Sequence, residues 1–225
     1  MFANFGPNLL KVLGRYWGLF LQGAGITLLL NAITVFFGAI LGSLLALMRR
    51  SRLKPLSGFA LGYVELIRGT PLLLQLYLIT FLLPELLPML NLSKFASVTV
   101  ALVLNSAAYV CEIVRAGINA VDPGQTEAAR TLGLNARQTM VRIVLPQAVK
   151  NILPALGNEF VTVIKETSLA STFFVGDLMT VYKTAQGATF TVIEPFLIVG
   201  VIYFVLTFSL SKLITSFERR LKASD

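Results

Sequence analysis

The sequence predicts an all-α membrane protein with about five transmembrane helices, and three observations predict it. Of its 225 residues 56% are hydrophobic and only 13% are charged, against about 25% charged in soluble domains. A hydrocarbon core of about 30 Å needs roughly 20 mostly apolar residues in a helix. That ruler finds five runs, near 19–48, 56–83, 95–117, 147–170 and 192–216. The basic residues between these runs fit one alternating topology.

The first run, Leu19 to Met48, has no charged residue, and its Gly38 and Gly42 stand at the spacing that lets helices approach closely. A lipid-facing role fits the pair equally well. The stretch ahead of it, MFANFGPNLLKVLGRYW, lacks the charged start, short apolar stretch and small-residue site of a removable signal. The first span is therefore expected to direct its own insertion. After it, Arg49, Arg50, Arg52 and Lys54 crowd one short loop, which the positive-inside tendency assigns to the cytoplasm.

Counting onward puts the N-terminus outside, with the 84–94 and 171–191 connections. The 118–146 connection, with Arg130, Arg137 and Arg142, and the tail, with Arg219, Arg220 and Lys222, fall inside. No internal repeat or soluble segment interrupts this order, so residues 1–225 read as one membrane domain. The net charge of +8 matches a negative inner leaflet better than nucleic acid, since no basic stripe with interleaved aromatics accompanies it. The single cysteine, Cys111, sits in an apolar run and reads as a packing residue, and the absence of histidine excludes His-ligated metals in this chain.

The 118–146 connection carries signals for two short helices. Asp122 can cap the first, Pro123 suits its opening position, and Gln125 stands where a capping box is completed. Gly133 supplies a left-handed stop. Asn135 and Gln138 repeat the capping spacing, so a second helix is expected from about Ala136 until Pro146 interrupts it. Ala128 and Leu132, four apart, with Ala129 beside them, give the first helix a small-residue face that another protein could approach. A plain interfacial helix pair has the same caps. A DNA-reading helix-turn-helix looks similar too, but both ends here are tethered to membrane spans.

Ionisable groups inside spans cost roughly 2.5–3.5 kcal/mol each at mid-helix, so their placement is informative. In the fourth run Asn158, Glu159, Thr162, Lys165 and Glu166 fall within an arc of roughly 120° at about 100° per residue. Asn151 joins that arc, while Phe160, Val163 and Ile164 lie outside it. Such a stripe faces the protein interior or a wet cavity: it lines a solute path, or it is a seam of interhelical bonds in which Lys165 neutralises a carboxylate. In the second run Pro71 predicts a kink whose freed carbonyls suit a polar ligand, with Thr70 and Gln75 alongside. Glu65 and Arg68, three apart, read as a self-neutralising pair, and Tyr109, Glu112 and Arg115 as an anchor for the loop that follows.

One pattern is specific to a family. Glu127-Ala128-Ala129, three residues, Gly133, nine residues, then Ile143-Val144-Leu145-Pro146 resembles the EAA signature of bacterial ATP-binding-cassette importer permeases. ELIRGTPLLLQLY (65–77), YVCEIVRAGINAVDPGQ (109–125) and LPQAVKNILPALGNEFVTVIKETSL (145–169) are similar to the polar amino-acid branch, and the likeness runs from about Asn31 to Glu218.

The resemblance implies a multi-pass subunit of the bacterial cytoplasmic membrane that pairs with an identical or related permease. An extracytoplasmic amino-acid-binding protein would deliver the substrate. It also implies that Gln125, Glu127, Ala128, Ala129, Leu132, Gly133, Leu145 and Pro146 form the coupling surface for an ATPase subunit. ATP and Mg would bind that partner, since this chain has no GxxxxGK[ST] loop, and no cofactor is expected in the chain itself. The expected function is transport of a polar amino acid past Asn158, Glu159, Thr162, Lys165, Glu166, Thr70 and Gln75. A secondary transporter or channel also fits the intramembrane charges but leaves the EAA-like text unexplained. Intramembrane catalysis by Glu159 and Glu166 has no surrounding His, nucleophile motif or metal set to support it.

Overall fold

Phe5–Arg49 form one uninterrupted helix of 45 residues, α1, about 67 Å long at 1.5 Å per residue and twice the depth of a hydrocarbon core. The computed structural model describes residues 5–90 and 92–222. Met1–Asn4 of the amino-terminal stretch, Asn91 of the 84–94 connection and residues 223–225 lie outside the described residues. The helix begins well before the expected position 19. Its early apolar positions Leu9, Val12, Leu13, Tyr16 and Phe20 recur at helical spacing and pack against two later helices.

α2 (Lys54–Arg68) opens with Pro55 in its first turn and packs Ala60 and Val64 against Leu45, Ala107 and Cys111. α3 (Leu72–Tyr77) and α4 (Leu83–Leu86) follow, joined by a π-helical stretch, Leu78–Leu82. Between α2 and the 72–86 segment the chain bends by 106°. The kink expected in the second run is therefore a break sharper than a right angle. Pro71 cannot donate to the helix ladder, and Gln75 takes the orphaned group instead, its Nε2 donating to the Ile67 carbonyl at 2.7 Å and the Thr70 carbonyl at 3.1 Å. Carbonyls freed at this break are thus occupied from within the chain.

α5 (Lys94–Asn119) starts at Ser93, whose hydroxyl caps Ala96 N–H. It lies along α1 at glycine contacts. A Cβ on Gly38 would stand 2.8 Å from Ser106 Oγ, and one on Gly42 would stand 2.6 Å from Val110 Cβ. Both glycines thus face a helix, which decides between the two readings of that pair. α6 (Pro123–Thr131) and α7 (Ala136–Thr139) form the connection that leads into α8 (Leu145–Glu166), with a second π-helical stretch at Met140–Val144.

Pro146 does not end this helix. Leu145 N–H reaches back five residues to the Met140 carbonyl, and this wider turn absorbs the proline that follows it. The other π stretch likewise ends just before Pro84, where Leu83 N–H bonds to the Leu78 carbonyl. Both insertions sit where a proline ring would otherwise strike a carbonyl four residues back.

α8 runs antiparallel to α5, with Ile152 against Gly117 and Glu159 against Ser106. A 3₁₀ turn, Thr167–Phe173, then leads to α9 (Leu178–Thr189) and α10 (Ile193–Lys222). α9 occupies the segment expected to be a loop. Asp177 caps it by accepting from Met179 N–H at 3.0 Å and from the Thr180 hydroxyl, and Leu178 N–H donates to Thr27 Oγ1 at 3.1 Å. Leu178, Val181 and Ala185 then pack beside Val12 and Phe20.

The chain is all-α among the described residues. α1, α5 and α10 are each long and apolar enough to cross a membrane, and the bent 54–86 pair makes a fourth if it is one span. α8, the other expected span, has 22 residues, enough for about 33 Å, but its polar stripe lowers its apolarity. α5 is the central helix: 61% of its apolar window is buried against 11% for α10, so α10 turns most of its apolar surface outward.

Candidate solute path and coupling surface

α8 carries Val163 and Ile164 on a fully buried side and its polar residues on the other. Asn158 and Lys165 are exposed, and Glu159, Thr162 and Glu166 are half-buried. Ser106 Oγ donates to Glu159 Oε1 at 3.2 Å, which ties the carboxylate to α5 at the residue that Gly38 of α1 abuts. Thr162 Oγ1 donates to the Asn158 carbonyl at 3.1 Å. Gly157 admits Ile214 of α10, since a Cβ there would stand 2.5 Å from Ile214 Cγ2. The stripe is thus flanked by packed helices, and its Asn158 and Lys165 stand on an exposed side of the chain.

Gln75 and Thr70 are held differently. Gln75 is 5% exposed. Its Nε2 meets Thr70 Oγ1 at 2.9 Å while its Oε1 accepts from Asn105 Nδ2 at 2.9 Å. This triad fixes the break to the residue preceding Ser106 on α5, so Thr70 and Gln75 join the Glu159 region through one helix. Sequence reasoning missed Asn105 and Ser106, because a small polar residue in an apolar run marks no partner by itself.

At the other end of α5 the charges gather on one carboxylate. Glu112 takes Arg49 of α1, Arg115 one turn on at 2.6 Å, and Arg68 of α2 at 3.8 Å. The expected Glu65/Arg68 pair is therefore replaced by an interhelical one, with Arg68 also stacked over Tyr109 at 5.5 Å. The expected anchor at Tyr109, Glu112 and Arg115 does hold the base of the 118–146 connection, joining three helices where that connection leaves α5. Val121, Val144, Ala148 and Ile152 close the apolar side of the same base.

Beyond this anchor the connection projects. Asp122 Oδ1 accepts from Gly124 N–H at 2.7 Å and so caps α6. Gln125 does not complete a box with it; its Oε1 accepts from Gln147 Nε2 of α8 at 3.5 Å. Gly133 has φ +87° and ends α6, with Leu134 N–H donating to the Ala129 carbonyl at 3.1 Å. Asn135 and Gln138 form a complete capping box at α7.

Ala129 faces inward at 5% exposure, whereas Leu132 is 81% exposed and Gln125, Glu127 and Ala128 stand open beside it. The presented face is therefore narrower than expected, with Ala128 and Leu132 as its apolar part. Leu145 and Pro146 are also exposed, at the start of α8.

The model of one protein family, binding-protein-dependent transport system inner membrane component, matches residues 38–223, which takes in both regions just described. The chain belongs to this family. As a member it is a membrane transport component and not an enzyme, and ATP hydrolysis lies in a separate subunit. The arginine transport system permease protein ArtQ of Bacillus subtilis is 44% identical over 205 residues, 91% of this chain and 93% of its own. A putative glutamine transport system permease protein, GlnP of Rickettsia bellii, is 38% identical over 98% of this chain and 97% of its own. A crystal structure of an amino acid ABC transporter with histidines superposes with TM-score 0.89 at 46% identity, covering 92% of this chain and 96% of that one. A methionine ABC transporter chain at 17% identity and TM-score 0.76 shares the fold.

Proposed function

We propose that this permease passes a polar amino acid into the cytoplasm, driven by ATP hydrolysis in a partner subunit that binds the ATP and Mg. The observation that carries this reading is the α8 stripe, a row of ionisable and amide groups on the open side of a helix otherwise packed in an apolar bundle. Relatives named for arginine, glutamine and L-cystine transport support the substrate class. Glu159 suits an α-ammonium or a cationic side chain, Lys165 suits an α-carboxylate, and Asn158 and Thr162 add neutral hydrogen bonds.

The open side faces a second permease subunit, identical or related, so that the path runs between the two. An extracytoplasmic binding protein delivers the substrate, and the α6 face docks on the ATPase. The whole chain acts as one domain in five spans that alternates access as the ATPases close and open. With the substrate-binding protein, the ATPase partner and ATP supplied, liposomes holding the purified complex should accumulate labelled arginine, glutamine or cystine. Omitting any one of the three should stop uptake, and flux that persists without the ATPase would replace this reading with a secondary transporter or channel.

The orientation proposed is N-terminus and residues 84–94 and 171–191 outside, with 49–54, 118–146 and the C-terminus inside, because the basic residues divide that way. Arg137→Cys in a Cys111→Ser background should resist an impermeant thiol reagent in intact cells and react after permeabilisation. Labelling from outside overturns the assignment.

A further inference from the structure

α1 carries a second polar row that neither the sequence reading nor the family assignment uses. Thr27, Asn31 and Thr34 continue the line of Gly38 and Gly42, all within one narrow stripe at about 100° per residue. All three are completely buried, at 0% exposure. Thr27 has a task, accepting Leu178 N–H. Asn31 has no protein hydrogen-bond partner at either amide atom, and Thr34 has none at its hydroxyl. Buried polar groups in apolar helices are kept against their cost when something uses them.

Their level in the bundle indicates the use. Gly38 abuts Ser106, which holds Glu159. Seven residues outward from Gly38 along α1 is Asn31, and seven residues outward from Glu159 along the antiparallel α8 is Glu166, a rise of about 10.5 Å in each case. Leu30, next to Asn31, packs against Ala170 of the turn that follows Glu166. The α1 row, which faces α5 at Gly38 and Gly42, therefore stands level with the upper half of the α8 stripe, on the buried side of the bundle.

We propose that Asn31 and Thr34 are further substrate-binding groups, reached from the Glu159 stripe through the packed seam behind it. Their amide and hydroxyl bind the ammonium and carboxylate of the amino acid when the seam of α1 against α8 and the 3₁₀ turn parts during the transport cycle. The inference rests on the transport reading above. A neutral amide offers both a donor and an acceptor, which suits a zwitterion whatever its side chain. The row thus adds neutral hydrogen bonds to the amino-acid backbone beside the charged contacts of Glu159 and Lys165.

The test separates this role from a structural one, because an amide with no partner can be replaced by an apolar group of similar shape with little loss of stability. Asn31→Leu and Thr34→Val should leave the melting temperature of the purified complex unchanged or raised. Asn31→Leu should cut uptake by about ten-fold or more, chiefly through a higher half-saturating substrate concentration, and Thr34→Val by about a few-fold. Uptake within about two-fold of the parent for both variants, against the roughly ten-fold expected of a lost polar contact, overturns the proposal. So does a loss of uptake accompanied by a lowered melting temperature, which marks a packing or water-bridging role. ATP-dependent uptake by the parent, measured in the same liposomes, tells failure of this inference from failure of the transport reading.

Discussion

Glu159→Gln is expected to lower uptake by roughly 30-fold for a cationic amino acid, the equivalent of about 2 kcal/mol lost with one charge-assisted hydrogen bond. The substitution is nearly isosteric. Its amide oxygen can still accept from Ser106 Oγ, which stands 3.2 Å from Glu159 Oε1 in the parent, so the link to α5 survives and assembly should be unaffected. The negative charge is removed, and one of the two acceptor oxygens becomes an NH2 donor. Initial uptake rates at saturating binding protein, together with stimulated ATPase activity, provide the measurement. A neutral amino acid, whose ammonium is its only cationic group, should lose less. Equal uptake by parent and variant for every amino acid tested would reassign Glu159 to packing, and the stripe would then be a seam between permease subunits.

The parts of the fold that composition decides were legible from residue order alone. α1, α5 and α10 are long apolar helices, and no rule beyond the membrane ruler was needed to find them. The parts that depend on one side chain reaching across the chain were not. The break at Pro71 became a 106° turn because Gln75, eight residues from Ile67, takes that residue's carbonyl. α9 was hidden because Leu178, Val181 and Ala185 make only a short apolar face between polar neighbours. Arg68 is within reach of Glu65 in sequence, yet the fold brings it to Glu112, a carboxylate already shared by Arg49 and Arg115.

In the candidate site the same division holds. The α8 stripe is local periodicity and could be read from a helical wheel. Ser106, Asn105 and the buried face of α1 acquire meaning only when Gly38 and Gly42 bring two helices together. Pro146 shows the limit of a local rule from the other side: the proline that should have stopped a helix is accommodated by the wider turn at Met140–Val144.

Changes to the 122–146 connection should separate ATP hydrolysis from transport. Leu132 is 81% exposed at the C-cap of the short helix α6, and burying a leucine is worth about 1.5–3 kcal/mol. If the α6 face docks on the ATPase as proposed, Leu132→Glu removes that contribution and places a charge where it must be desolvated, so affinity for the ATPase should fall by at least about ten-fold. Gly133→Val acts on geometry. The backbone there has φ +87°, a region that a β-branched residue strongly disfavours, so the end of α6 must re-form and Leu132 must move with it. The space around Gly133 is open, with nothing within 4 Å of an added Cβ, so the effect would be conformational and not a clash.

Neither residue touches the Glu112 anchor or the α8 stripe. Membrane insertion and substrate recognition should therefore persist while uptake falls to near background and ATP hydrolysis no longer responds to the loaded binding protein. Copurification of the ATPase with each variant, followed by paired uptake and hydrolysis assays, reads the outcome. If both variants hold the ATPase and transport at the parental rate, the exposed face of α6 is not where the two subunits are coupled.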